Sequence, residues 1–278
     1  MKKTMSRREF VGAFGAVAGM LALAGCGSSQ GGNKAASSAA ASTEAAGSYT
    51  LVTDGKLTIG MSPDFPPFEN MENGEYVGLD VELAKDIAEK LGLEVEYKNL
   101  QFDAIIPAVA AGGQVDLGMS GITVDPDRQK QVDFSDTYYV DDQCIVTMKS
   151  NADVTADDQS ALNASGIVIA VQSGTTGETY AQENFPNATT QPYGNATDCF
   201  AAMQAGQANA VITNKAVGNQ MVASAYTDAQ VIKEIATGEE YAAAVSKDNT
   251  ALIDAVNDAI KQLQDDGTLD NLYAKYLG

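Results

Sequence analysis

The chain has 278 residues, with 17 Lys+Arg against 37 Asp+Glu, a formal net charge of -20, no His and no Trp. A polyanion repels phosphate backbones, which argues against a nucleic-acid partner. Without His the commonest general base and metal ligand are gone, and three Cys (Cys26, Cys144, Cys199) exclude a four-Cys zinc site.

Residues 1–25 read as an export signal. A basic start with Lys2, Lys3, Arg7 and Arg8 precedes an apolar stretch at 11–24, too short for a membrane span of about 20 residues. The motif SRREFV at 6–11 resembles a twin-arginine export signal, and LAGC at 23–26 resembles a lipobox with Cys26 as the lipidated residue. Removing residues 1–25 takes away a net +3 and leaves -23, with Arg128 as the one remaining Arg. Residues 27–48 are Gly, Ser and Ala with little else and cannot bury a face. As a flexible tether such a segment reaches about 25 Å. The folded part is expected to begin near Tyr49.

Strand and helix signals then alternate. A strand at 57–61 is followed by a turn at Asn73 and Gly74 and a helix over 77–91, with Val81, Leu83, Ala84, Ile87, Ala88 and Leu91 on one face. A strand at 93–97, a helix at 102–111, a strand at 115–119 and a helical turn at 126–131 complete this unit. A similar run recurs, with strands at 167–171 and 210–213 and helices at 175–185, 197–205 and 216–225. Two helices, 249–265 and 269–277, end the chain. The order predicts two open α/β sheets, and ligands of such sheets bind beyond the strand carboxyl ends.

The loops at those ends carry the candidate chemistry. Two prolines after Phe65 stiffen the first loop, whose Phe65 either packs a ligand or belongs to the core. Phe102 opens the next helix. Gly121 allows close backbone approach and Thr123 offers a hydroxyl. Arg128, in a chain that otherwise uses Lys, suits bidentate carboxylate binding; the competing reading is a surface pair with Asp125 or Asp127. Gln172, Thr175 and Thr176 border a helix N-terminus that can hold an anion. For Cys144 and Cys199 a disulfide is open, with two buried thiols favoured.

Together the stretches IGMSPDFPPF (59–68), YVGLDV (76–81), FDAIIP (102–107), DLGMSGIT (116–123), DFS (133–135) with Tyr138 and Tyr139, and SGTT (173–176) resemble the extracytoplasmic polar amino-acid-binding proteins of ABC importers, solute-binding protein family 3. The resemblance implies the periplasmic-binding-protein type II fold. Lobe one would comprise 50–141 plus 241–278 and lobe two 142–240, after a lipidated Cys and tether at 26–49. The hinges would lie near 139–143 and 240–243. Phe65 and Phe102 match the residues that sandwich the ligand. Gly121 and Thr123 match contacts to its amine and carboxylate, Arg128 the carboxylate clamp, and Thr175 and Thr176 the anion contacts of lobe two. Ser62 and Gln172 match positions that read the side chain. Asn214 stands where the family usually has an Asp for the α-ammonium; with an ordinary α-amino acid as ligand, Asn214→Asp is expected to tighten binding roughly tenfold, one charge-assisted bond's worth, and the alternative is a ligand whose amine is blocked, displaced or absent.

The function implied is a monomeric, lipid-anchored receptor that hands a small zwitterion, a neutral polar amino acid, to ABC permease subunits. No cofactor, metal or catalysis is expected. The alternative is a dehydratase of the prephenate or arogenate type on the same fold, with Asp64 or Glu178 as an acid, and a sensor module is a third reading. Cys26→Ser should release the folded protein from membranes. A variant that fractionates with membranes as fully as wild type would contradict the lipid anchor.

Overall fold

A computed structural model describes residues 49–151, 154–155 and 157–278. The export signal, Cys26 and the tether expected from sequence lie outside the described residues. Two five-stranded sheets dominate the fold, each with helices against it.

The first sheet has the order β5-β1-β6-β13-β7. Strand β1 (Lys56–Met61) lies between β5 (Glu94–Asn99) and β6 (Leu117–Gly118), parallel to both. The returning strand β13 (Ala244–Ser246) is antiparallel to β6 and to β7 (Val132–Phe134). Leu57, Ile59 and Met61 are buried on β1, together with the intervening Thr58 and Gly60. A strand covered on both faces in this way belongs in a parallel α/β sheet. Helix α1 (Leu79–Lys90) buries Leu79, Leu83, Ala84, Ile87 and Ala88, the face that the 3.6-residue period marks. It packs on α7 (Thr250–Asp265) and α8 (Thr268–Tyr276). On α7, Leu252, Val256, Ala259, Ile260 and Leu263 make the matching stripe. Losing one such buried Leu or Ile to Ala costs about 2–5 kcal/mol. Helix α2 (Phe102–Ala111) covers the other part of the sheet through Ile105, Ile106 and Val109. A small sheet of β2 (Asp64–Phe65), β3 (Glu69–Glu72) and β4 (Glu75–Val77) projects from the loop after β1. Its β3–β4 hairpin closes through Asn73 and Gly74, both at positive φ, as a two-residue turn requires.

The second sheet has the order β10-β9-β11-β8-β12. Strands β9 (Val168–Gln172), β10 (Thr189–Tyr193) and β11 (Ala210–Asn214) are parallel. Helices α4 (Thr176–Asn184), α5 (Ala196–Gln204) and α6 (Lys215–Ser224) pack on them. Two long strands complete the sheet, β8 (Tyr139–Met148) and β12 (Ala229–Tyr241), antiparallel to each other. Neither was expected in full from the sequence. The ends of this pair, where Tyr139 faces Tyr241 and Asp141 faces Glu239, are also where the chain passes between the sheets. Cys144 and Cys199 are buried free thiols, and burial pushes both well above the ordinary thiol range.

Behind the loop that follows β6 lies a buried acidic network. The Gly121 N–H and the Tyr138 hydroxyl both donate to Asp80 Oδ2, at 2.8 and 2.7 Å. The Ser120 hydroxyl donates to Glu69 Oε1 at 2.7 Å. Burial raises both carboxyls, Asp80 to about 6, and the charge of Asp80 raises Glu69 further. These acids hold protons more tightly in the folded chain than in the unfolded one. The contribution of Asp80 is therefore complete below the unfolded value near 4 and is lost as pH rises through about 6, and that of Glu69 runs in the same direction. Thermal unfolding should accordingly occur at higher temperature at pH 4.5 than at pH 7.5. Asp80→Asn, which keeps an acceptor for Gly121 and Tyr138, should flatten that dependence by about 2 kcal/mol or more, at roughly 1.4 kcal/mol per pH unit of displacement. An unchanged pH profile in this variant would contradict the assignment.

Candidate functional site

The site lies where the loops at the carboxyl ends of both sheets meet the β8–β12 pair. Thr123 follows β6, and an isolated antiparallel bridge ties it to Tyr241. The Val124 N–H donates to the Glu240 carbonyl at 2.9 Å. The loop of the first sheet is thus laced to the strand that returns from the second. Short helix α3 (Pro126–Gln129) is capped by Asp125, whose side chain accepts from the N–H groups of Asp127 and Arg128.

Arg128 is 8% exposed and makes contacts on three sides. Its Nε pairs with Asp125 Oδ2 at 3.0 Å, Nη1 donates to the Thr123 carbonyl at 2.7 Å, and Nη2 donates to the Gly174 carbonyl at 3.0 Å. The last bond crosses from one lobe to the other. The guanidinium also lies over the Phe102 ring, 5.3 Å from its centroid. Burial pulls its pKa below the usual value, opposed by the charges of Asp125 and Glu239. The surface-pair reading and the clamp reading are therefore not exclusive: Arg128 pairs with Asp125 and still faces the cleft.

Glu239, 8% exposed on β12, was not singled out by sequence reasoning. Its Oε2 accepts from the Thr123 hydroxyl at 2.7 Å, the Thr176 hydroxyl at 2.9 Å and Asn214 Nδ2 at 3.1 Å. Its Oε1 accepts from Gln143 Nε2 at 2.9 Å. Three of these four donors are residues the sequence pointed to. Gln143 was not, and its buried Oε1 has no hydrogen-bond partner. The available signal was position, since Glu239 adjoins the expected hinge at 240–243.

The other expected residues divide into two groups. Phe65 is buried against Phe68, ring centroids 6.1 Å apart, and closes on Gly121. A Cβ at Gly121, where φ is 56°, would stand 3.1 Å from the Phe65 ring and 3.2 Å from Tyr241, so this turn requires glycine. The Ser62 hydroxyl donates to Asp64 Oδ1 at 2.8 Å, and Asp64 Oδ2 accepts from the Ala196 N–H of the second lobe at 2.6 Å. Burial raises Asp64 to about 6, partly offset by those bonds. Gln172 Nε2 reaches the Gly194 carbonyl at 3.4 Å. Thr175 caps α4: its hydroxyl donates to the Gln172 carbonyl at 2.7 Å and accepts from the Glu178 N–H at 3.2 Å. The Gly174 N–H donates to Glu178 Oε2 at 2.8 Å. Much of the anion site expected at this turn is thus occupied by the chain's own Glu178. Gly174, at φ 75°, also sits where a Cβ would meet Asp103 of the other lobe at 2.8 Å.

A cleft of about 660 Å³ opens beside these groups. Arg128, Gln143, Thr175, Thr176 and Glu239 line it, with Asp125, Glu178 and Glu183 at its rim. Ser62, Phe65, Phe102, Gly121, Thr123, Gln172 and Asn214 are not among its lining residues. The arrangement brings a buried cation and a buried carboxylate to one cleft and surrounds them with hydroxyl and amide groups. That chemistry suits a ligand with poles of both signs.

Comparison with known proteins identifies relatives of the whole folded part. Residues 57–278 match the model of the bacterial extracellular solute-binding proteins, family 3. The chain is 34% identical over 225 residues to the arginine-binding extracellular protein ArtP of Bacillus subtilis, covering 80% of this chain and 86% of the relative. It is 29% identical over 263 residues to the glutamine-binding protein GlnH of the same organism, covering 93% of each. Among solved structures, an ancestral arginine-binding protein bound to arginine superposes with a TM-score of 0.75 at 36% identity, over 81% of this chain and 99% of the other. An ancestral amino acid-binding protein described as a precursor of cyclohexadienyl dehydratase gives 0.75 at 37% identity, over 81% and 96%. The chain therefore belongs to the bacterial extracellular solute-binding proteins of family 3 and has their two-lobed type II fold.

Proposed function

We propose that this protein is the lipid-anchored receptor of an ABC importer, taking one polar amino acid between its lobes and presenting it to membrane permease subunits. The observation that carries the reading is Arg128. It is a buried guanidinium at the junction of both lobes, lining the cleft with donors left over after its bonds to Asp125, Thr123 and Gly174. A ligand carboxylate is the natural partner for such a fork. Relatives named for arginine, glutamine, cystine and histidine support a polar amino acid without choosing among them. In this reading lobe one comprises 50–141 and 241–278, lobe two 142–240, and the protein acts as a monomer whose lobes close on the ligand about the β8–β12 crossing.

A second reading, dehydration of prephenate or arogenate, draws support from the likeness to the dehydratase precursor and from two acids at the junction of the lobes, buried Glu239 and half-buried Asp64. The match to transport binding proteins along the chain favours binding. Turnover of either compound by purified protein would reverse that preference.

A thermal-shift panel of L-amino acids tests the main reading. Saturation at 100 times the dissociation constant should add about 2.7 kcal/mol of stability. No shift with any amino acid at millimolar concentration would contradict it. Arg128→Lys keeps the charge but loses the fork, and a charge-assisted bond is worth roughly 1.5–3 kcal/mol. Calorimetry should show affinity for the best amino acid lowered at least about tenfold by that substitution. Near-wild-type affinity would return Arg128 to a surface-pair role.

A further inference from the structure

Position 214 leaves the proposed amino-acid site without a fixed negative charge, because Asn214 is neutral. A ligand ammonium enclosed without an anionic partner loses its hydration for little return. The missing charge is present elsewhere. Glu239 reaches in from β12 and takes the Asn214 amide N–H as one of its donors.

The donors fix the polarity of their surroundings. An ionised carboxylate only accepts, so every group bonded to Glu239 must give it a hydrogen. The Thr123 and Thr176 hydroxyls spend their single hydrogens on Oε2. Thr176 Oγ1 also accepts from Gln143 Nε2 at 3.1 Å, and the lone pairs the two hydroxyls have left can only accept. Asn214 and Gln143 turn their N–H groups to Glu239, and their carbonyl oxygens necessarily face the other way. Gln143 Oε1 is one of these, buried and unpartnered. The two threonine hydroxyls therefore present acceptors beside one negative charge. Such a subsite attracts a cation and repels a carboxylate. Arg128 supplies the opposite pole in the same cleft.

We propose that Glu239 is the residue that recognises the ligand's ammonium group, taking over from the hinge strand the charge that position 214 lacks. This rests on the amino-acid reading above and deepens it. The amine would be read by a side chain held from both lobes, Thr123 on one side and Thr176 and Asn214 on the other. The expectation for Asn214→Asp reverses accordingly. A second carboxylate where Asn214 Nδ2 now lies 3.1 Å from Glu239 Oε2 would replace a donor by a like charge. That single variant should weaken binding, not tighten it.

Calorimetry on purified protein with two probes decides the matter: L-arginine, and 5-guanidinopentanoate, which is arginine without its α-amine. Glu239→Gln should weaken L-arginine at least about tenfold, as expected for loss of a charge-assisted bond, and should change 5-guanidinopentanoate less than about twofold. Asn214→Asp alone should weaken L-arginine, whereas Asn214→Asp added to Glu239→Gln should restore much of the loss, a non-additivity that mere damage to the fold would not produce. If Glu239→Gln fails to fold, Asn214→Asp alone still decides, since tighter binding there overturns the proposal. Tighter L-arginine binding in Glu239→Gln would mean that Glu239 competes with the ligand, and equal losses for both probes would mean a structural role; either overturns it while leaving the amino-acid reading intact. A wild type that binds neither probe nor any amino acid of the panel overturns both.

Discussion

One carboxylate ties the middle of this molecule together. Glu239 accepts hydrogen bonds from a loop of the first sheet, from the first residue of α4, from the end of β11 and from β8. A charge this deeply placed is tolerated only when its lone pairs are largely met, and here three donors crowd Oε2 while one meets Oε1, which keeps an acceptor site. Each donor is neutral, so the charge is solvated by the protein and not cancelled. That distinction separates a structural ion pair from a poised one. Arg128 differs, since Asp125 already partners it, and its burial is matched by opposite charge as well as by carbonyls.

Three contacts between lobes surround this centre. Arg128 reaches Gly174, Asp64 accepts from Ala196, and the Ser173 hydroxyl donates to Asp103 at 3.0 Å. All are polar, and none buries a large apolar surface of its own. Polar contacts exchange readily with water, so interfaces of this kind permit opening at small net cost. The largest apolar cluster runs through both sheets, from Leu57, Ile59 and Phe68 to Phe200 and Val211, while two smaller clusters lie along single sheets. Behind the cleft, the bonds of Asp80 and Glu69 to Gly121 and Ser120 hold the first loop in place.

Much of the parallel framework was legible in the sequence, because its signals are local. The stripe on α1, the Asn73–Gly74 turn, the buried run of β1 and the paired terminal helices each follow from a few neighbouring residues. The strands that escaped were β2, β3, β4, β7, β8, β10, β12 and β13, and the reasons differ. Strand β12 is an edge strand with exposed Lys233, Glu234 and Glu240 and register shifts along its length, so no alternation survives. On β10, Pro192 and exposed polar residues give an edge pattern that reads as loop. Strand β13 has only three residues. Of the site, Arg128 could be picked out by its uniqueness and Thr123, Thr176 and Asn214 by motif. Glu239 could not, because its role arises only when β12 returns beside β8 and brings position 239 to residues more than 20 to more than 100 positions away.

The account's central claim is that this cleft holds a zwitterion by its two poles, the carboxylate on Arg128 and the ammonium toward Glu239. A crystal structure of the protein with its tightest-binding amino acid measures this directly. It should show the ligand between the lobes, its carboxylate within about 3 Å of the Arg128 guanidinium, the usual range for a charge-assisted hydrogen bond, and its amine against Glu239 and Thr176. An amino acid bound with these poles reversed, or bound away from Arg128, would contradict it.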